Sequence, residues 1–153
     1  MDAAEASTEL NESLAALETA LLTPVVSGEL ESWVRTAEGA TNKLSQKLPM
    51  FLKMVLHPQY AEIAKSDAEL LTRVQQLIEE DQNLILEQEA FRNRMSDFAK
   101  RASQIKKDEA QVANERTKLE QDGIALILRI KRQRAAADTW LTEAAYRDRG
   151  PVD

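Results

Sequence analysis

The sequence contains no cysteine, and it has one histidine in 153 residues. The lack of thiols excludes disulfides, thiolate zinc sites, iron–sulfur clusters and cysteine nucleophiles. One imidazole cannot supply the histidine clusters used by catalytic zinc and by metal-binding helical bundles. There is also no Gly-rich phosphate loop, and a Ser-His-Asp arrangement cannot be assembled. We therefore expect no catalytic residues, no metal ligands and no cofactor, and we infer that the chain is not an enzyme.

Turn-forming residues and long apolar runs are scarce as well. Four glycines and four prolines favour long helices joined by few loops. No stretch approaches the roughly 20 apolar residues of a membrane span. Residues 1–14 are acidic and polar, without the basic start and apolar run of a secretory signal. We expect a cytoplasmic protein that does not bind membranes.

The net charge of -6 argues against nucleic acid as a partner, because phosphate backbones are bound by clustered Lys and Arg. One basic cluster is present within residues 129–134. Its four members spread around the outward face of a predicted helix: Arg129, Lys131, Arg132 and Arg134. This placement suits solvent or acidic Glu and Asp neighbours, and we favour pairing with the acidic first helix over contact with nucleic acid.

Helical periodicity fills most of the chain, whose length fits one domain over residues 1–153. The first helix is predicted at about 7–22, where leucines recur at helical spacing: Leu10, Leu14, Leu17 and Leu21. A second helix should begin near Ser27-Gly28. Proline removes a backbone donor, so we expect Pro49 to kink or break this helix and His57-Pro58 to break the chain again.

Two long helices are predicted in the second half. Ser66 to Glu69 matches a capping box at the start of the first, and Asp108 to Gln111 a cap of the second. The first seam alternates spacings of four and three through Leu70, Val74, Leu77, Asp81, Leu84, Gln88, Phe91, Met95, Phe98, Ala102 and Ile105. The second runs through Val112, Arg116, Leu119, Gly123, Leu126, Ile130, Gln133, Ala137, Trp140 and Ala144, and Gly150-Pro151 should end it.

These helices can pack in two ways. They form an all-α, up-and-down four-helix bundle with long C-terminal helices, or the last two protrude as a coiled-coil hairpin. We favour the bundle, because Trp33 and Leu44 of the second helix, Phe51 of a short apolar helix expected after Pro49 (through Leu56), and the apolar stripe of the first helix also require burial.

Three polar residues fall on the inward side of the seams. Asp81, Gln88 and Gln133 would each cost about 1–3 kcal/mol if buried without a partner. They are candidates for a polar core, either a hydrogen-bonded layer that fixes helix register or the remnant of a binding cavity. His57, at the predicted helix junction, is expected to cap or hydrogen-bond there.

Several short motifs resemble the hemerythrin-like cation-binding domain, over about residues 57–153. They are His57-Pro58, Glu80-Asp81, Gln133-Arg134 and the tail Glu143-Ala144-Ala145-Tyr146-Arg147-Asp148-Arg149-Gly150. The resemblance implies a four-helix bundle of a family that holds a di-iron centre with inward His, Glu and Asp. Asp81 and Gln133 stand where the resemblance would place ligand histidines, so the iron site is not carried over.

The resulting hypothesis is a non-catalytic, metal-free bundle that acts as an interaction or small-ligand module, with an unknown protein or small ligand as partner. An alternative is a structural coiled-coil protein, a homodimer formed through residues 67–147. A third is a hard-cation site built from carboxylates, with Asp81 and either Glu80 or Glu115 as ligands.

Overall fold

The computed structural model describes residues 1–104 and 109–148, and every regular element within them is helical. The α-helices are α1 (Ala3–Leu22), α2 (Leu30–Phe51), α3 (His57–Ser66), α4 (Leu71–Gln104) and α5 (Ala113–Asp148). A π-helical turn, Leu52–Leu56, joins α2 to α3. Short 3-10 turns at Ala68–Leu70 and Glu109–Val112 precede α4 and α5.

The helices form an up-and-down bundle. Helix α1 packs against α2 and α5, and α4 also packs against α2 and α5, so the four long segments close into a ring. Ion pairs between α4 and α5 join Arg94 to Asp122 and Arg101 to Glu115, which makes these neighbours antiparallel. The predicted all-α four-helix bundle is confirmed, and α4 and α5 do not protrude as a hairpin.

One core runs through the bundle and takes side chains from all four segments. It contains the apolar members of both predicted seams, which are buried except for the partly buried Trp140; Ile105 lies outside the described residues. Within the described ranges, no helix combines the length and apolar character needed to cross a membrane.

Beyond the N-terminus of α1, a different helix lies next to α5. Helix α1 has 20 residues, whereas α2, the π turn and α3 form one continuous helical segment from Leu30 to Ser66. Helix α1 packs against α2 and the π turn of this segment, and α3 extends beyond it. Helix α3 packs instead against α5 and α4. It occupies the position next to α5 that α1 holds at the other end of the bundle.

The expected breaks at the two prolines do not occur, and this part of the prediction was wrong. Pro49 lies inside α2, and the Leu52 N–H is shared between the carbonyls of Leu48 and Pro49. Pro58 lies in the first turn of α3, where a missing backbone N–H is tolerated. The backbone continues as a helix through both positions, with the π turn between them.

The π turn is explained by the four-residue spacing of buried side chains in this part of the sequence. Buried side chains recur every four residues from α2 into α3, at Leu44, Leu48, Leu52, Leu56 and Tyr60. In an α-helix of 3.6 residues per turn, each step of four rotates about 40° too far, so such a row drifts off the core. The wider π turn, in which the His57 N–H bonds to the Leu52 carbonyl, reverses part of this drift. Tyr60 is thereby brought back to the interior.

Helix ends differ from the predicted caps. Helix α1 starts at Ala3, and its N-cap is Asp2, whose carboxylate accepts the Glu5 N–H at 2.8 Å. The predicted capping box at Ser66 was wrong, because Ser66 is the last residue of α3. Asp67 caps the following turn instead, and its carboxylate accepts the Glu69 N–H at 2.9 Å.

Two further expectations fall partly outside the described residues. The predicted cap at Asp108 to Gln111 includes Asp108, which is not described, and Gly150-Pro151 lies beyond the last described residue. The start predicted for the second helix, Ser27-Gly28, is two residues before the observed one at Leu30.

Gly123 marks the closest approach of α5 to its neighbours. A Cβ at this position would lie 2.9 Å from Cζ of Phe91 and even closer to Leu21. Both side chains are buried in the core. Gly39, in contrast, is an exposed helical glycine in α2 with nothing within 4 Å of the same hypothetical atom.

We predict opposite effects of alanine at these two glycines. Gly123→Ala should lower the free energy of unfolding by about 1–2 kcal/mol, because overpacking of the core outweighs the gain in helix propensity. Gly39→Ala should raise it by up to about 1 kcal/mol, because only the propensity changes. Urea unfolding followed by circular dichroism measures both. Equal effects of the two substitutions would contradict the close packing at Gly123.

Candidate functional site

The three predicted polar residues all lie in the interior. Asp81, Gln88 and Gln133 are 3%, 1% and 6% exposed. The structure brings Asp81 and Gln133 together with Tyr60. Gln88 is two turns further along α4, and its Nε2 has no hydrogen-bond partner among the described residues. The polar cluster therefore consists of Tyr60, Asp81 and Gln133, without Gln88.

Hydrogen bonds within the polar cluster meet at one carboxylate oxygen. The Tyr60 hydroxyl donates to Asp81 Oδ1 at 2.9 Å. The Gln133 amide donates to the same oxygen at 2.8 Å and to the Leu77 carbonyl at 2.7 Å. Gln133 Nε2 also lies 3.2 Å from the Tyr60 oxygen.

Each residue of the cluster comes from a different helix. Tyr60 lies on α3, Asp81 on α4 and Gln133 on α5. A slip of one helix along another would break bonds that cannot be replaced by water in a closed interior. The cluster therefore fixes the register of the three helices at the end of the bundle where α1 is absent.

The second oxygen of Asp81 is not satisfied in the same way. Oδ2 is buried and has no hydrogen-bond partner among the described residues. His57 Nε2 lies 3.7 Å from it, and the His57 side chain is 53% exposed. This distance suits an ion pair with a protonated imidazole but exceeds a direct hydrogen bond. Contrary to expectation, the structure gives His57 no capping hydrogen bond; it lies at the outer edge of the cluster, facing Asp81.

Burial determines the protonation of the cluster. Desolvation raises the pKa of Asp81, while the hydrogen bonds from Gln133 and Tyr60 and the nearby His57 oppose that rise without cancelling it. Desolvation also raises the pKa of Tyr60, and the adjacent Asp81 adds to that shift. The Tyr60 hydroxyl therefore remains a proton donor at neutral pH.

The carboxylates considered for a hard-cation site are not gathered around Asp81. The Glu80 carboxylate is bound by Arg129, and Glu115 is bound by Arg101. Glu115 also lies about 27 Å from Gln133 along α5, at a rise of 1.5 Å per residue. No group of three or more His, Cys, Asp or Glu side chains suited to a metal occurs in residues 1–104 and 109–148.

The basic cluster pairs only in part as expected. Lys131 lies 3.6 Å from Glu18 of α1, as predicted. Arg134 also reaches α1, but it donates to the uncharged side chains of Asn11 and Ser7, at 2.7 and 2.5 Å. Arg129 binds Glu80 and Glu87 of α4 rather than α1. These contacts join α5 to both of its neighbours.

Tyr60 is the residue that the sequence analysis missed. The expected break at His57-Pro58 ended the apolar row at Leu56, so Tyr60 was not placed on a helix face. The available signal was the four-residue spacing that leads from Leu52 and Leu56 to Tyr60, and then three residues on to Ile63. This row predicts an inward tyrosine once the helix is allowed to continue.

Comparisons with protein-family models, with curated proteins and with solved structures found no match for this chain. The resemblance to hemerythrin-like domains thus stays a prediction that depends on the short motifs quoted above.

We predict that Asp81→Asn makes stability less dependent on pH. A pKa raised in the folded state means that protonation of Asp81 stabilises the fold. This contribution is complete below about 3.9, the pKa of an unfolded Asp, and is lost as pH rises through the folded value. In chemical unfolding across this pH range, the free energy of unfolding of wild type should rise relative to that of Asp81→Asn as pH falls. The same series with His57→Gln in both proteins removes the neighbouring imidazole's titration; a constant difference there would contradict the burial cost.

We predict that Asp81→Ala and Asp81→Asn differ in stability at neutral pH. Asparagine keeps an acceptor for Tyr60 and Gln133 and loses the buried charge, so Asp81→Asn should be at least as stable as wild type. Alanine leaves both donors without an acceptor and should cost about 1–3 kcal/mol.

Proposed function

We propose that this protein is a non-catalytic interaction module, resembling a hemerythrin-like domain that has lost its di-iron site. The polar cluster stabilises the bundle in this proposal, and another protein chain binds to the surface. Asp81 and Gln133, at the positions that the resemblance would give to ligand histidines, bond to each other and to Tyr60. These hydrogen bonds between the three side chains favour a structural role for the cluster.

A surface role also has more support than a small-ligand role. Five grooves on the described surface are lined by residues other than Asp81, Gln88 and Gln133. These five grooves therefore lie away from the polar cluster. This favours the interaction module over the remnant cavity.

The observation that carries the proposal is an exposed apolar face between α1 and α5. It consists of Leu22, Ala125, Leu128 and the partly buried Ile124, which line one shallow groove together with Glu120 and Gln121. Leu22 is 63% exposed and Leu128 is 49% exposed. In a chain with 30% charged residues, apolar side chains clustered in this way are typical of a protein-binding surface.

The metal-free part of the proposal is tested by elemental analysis and thermal melts. We expect the purified protein to hold no stoichiometric metal, and added Fe²⁺, Zn²⁺, Mg²⁺ or Ca²⁺ to leave the melting temperature unchanged. Asp81→Asn is the matched control. A bound metal that is present in wild type and lost in this variant would overturn the proposal.

The interaction part is tested by site-specific photocrosslinking in cells that make the protein. A photoreactive residue at position 128 should yield discrete protein adducts, whereas one at position 71 should not. Leu71 is a matched control, because it is also 49% exposed and lies on α4 toward the other end of the bundle. If position 128 gives no adduct, either with another protein or with a second copy, the proposed function fails.

The alternative of a coiled-coil dimer through residues 67–147 has less support. The seam residues that would join two chains pack inside the bundle, against α1, α2 and α3 of the same chain. A dimer of this bundle would have to form through its outer surface.

A further inference from the structure

The apolar face is part of a ridge along the outside of α5. Residues four apart follow one another at Glu120, Ile124, Leu128 and Arg132, which we call the contact ridge. Rows with this spacing are the ridges that interdigitate in the commonest class of helix packing, at a crossing angle near −50°. The neighbouring row contains Ala125, whose small side chain leaves room beside the ridge.

Charge along the contact ridge changes sign from one end to the other. Glu120 stands at one end, with its carboxylate 3.4 Å from Arg116 of the same helix and part of its surface exposed. Arg132 stands at the other end and is exposed. Ile124 and Leu128 lie between them. The ridge thus has an acidic end, an apolar middle and a basic end.

This order is complementary to itself. If a second copy is related by a two-fold axis that passes midway between positions 124 and 128, the two ridges run antiparallel. Ile124 of each copy then lies opposite Leu128 of the other. Glu120 of each copy lies opposite Arg132 of the other, so opposite charges meet at both ends.

We propose that the contact ridge binds the same ridge of a second copy and forms an antiparallel homodimer. The proposal rests on the proposed function and specifies its partner. The net charge of -6 repels two copies at long range, so contact requires a patch whose own charges balance. Glu120 and Arg132 provide this balance. A partner of one dominant charge would match one end of the ridge and be repelled at the other.

The first test is sedimentation velocity over a wide range of protein concentration. Wild type should shift from monomer to dimer as concentration rises. Leu128→Asp should remain monomeric, because it places two carboxylates in the apolar middle of the interface. Leu71→Asp should dimerise as wild type does, since Leu71 is equally exposed but lies off the ridge. A monomeric wild type, or a dimer unaffected by Leu128→Asp, would overturn the proposal.

Charge reversal provides the second test. Glu120→Arg and Arg132→Glu each place like charges opposite one another twice per dimer, so each should weaken association about tenfold. The double variant restores opposite charges and should recover most of the wild-type affinity. Failure of the double variant to recover would refute the antiparallel pairing. Circular dichroism melts of every variant establish that the bundle is folded.

The outcomes separate this proposal from the proposed function. A wild type that stays monomeric, with adducts to a different protein at position 128, leaves the interaction module standing and rejects the homodimer. The absence of any adduct at position 128 rejects both.

Discussion

Two donors converge on Oδ1 of Asp81, and the arrangement of the bundle beyond α1 depends on this convergence. Helix α3 has 10 residues and no α1 beside it, so it makes fewer apolar contacts than a full-length helix would. The Tyr60 hydroxyl and the Gln133 amide attach it to α4 and α5 at one point. Bonds to a buried carboxylate are stronger than bonds between neutral groups, which suits a short helix.

Burial of the same carboxylate also costs free energy. Its second oxygen is buried without a hydrogen bond among the described residues, and the imidazole of His57, 3.7 Å away, is largely exposed. Buried polar groups of this kind often lower stability relative to an apolar core, and they can raise specificity, as polar residues do in coiled-coil seams. Here the specificity concerns which part of the continuous segment from Leu30 to Ser66 lies against α5.

Much of this arrangement could be predicted from the seams. Their alternation of four and three predicts inward positions for Asp81 and Gln133, and both are buried. It does not predict which inward residues meet, because that depends on the relative heights of helices distant in sequence. Asp81 and Gln133 lie level, whereas Gln88 lies two turns away along α4. The heptad pattern alone therefore places all three residues in the interior, but it does not predict that Asp81 and Gln133 are in contact and Gln88 is not.

Local rules failed where tertiary packing overrode them. A proline inside a helix predicts a break, yet the segment through Pro49 and Pro58 stays helical because both of its halves bury apolar rows. Ser66 fits a capping box, but Asp67 offers a carboxylate one residue later and is the cap that forms. The inward position of Tyr60 was not predicted, because the helix was expected to break at His57-Pro58. Pro58, Tyr60 and Ser66 lie in α3, whereas Pro49 lies in α2, which packs against α1.

The π turn has a consequence for how this chain can tolerate length changes. It holds one residue more per hydrogen-bonded ring than an α-helical turn, so it sets the rotation of α3 relative to α2. Loss of one residue from Leu52–Leu56 would convert it to α-helix and leave the rotation of α3 nearly unchanged, because the π turn absorbs one residue. The same number of residues wound as α-helix would instead turn α3 by about 100°, and Tyr60 would point away from α4. A deletion of one residue in this stretch should therefore be better tolerated than a change that keeps the length and removes the π turn.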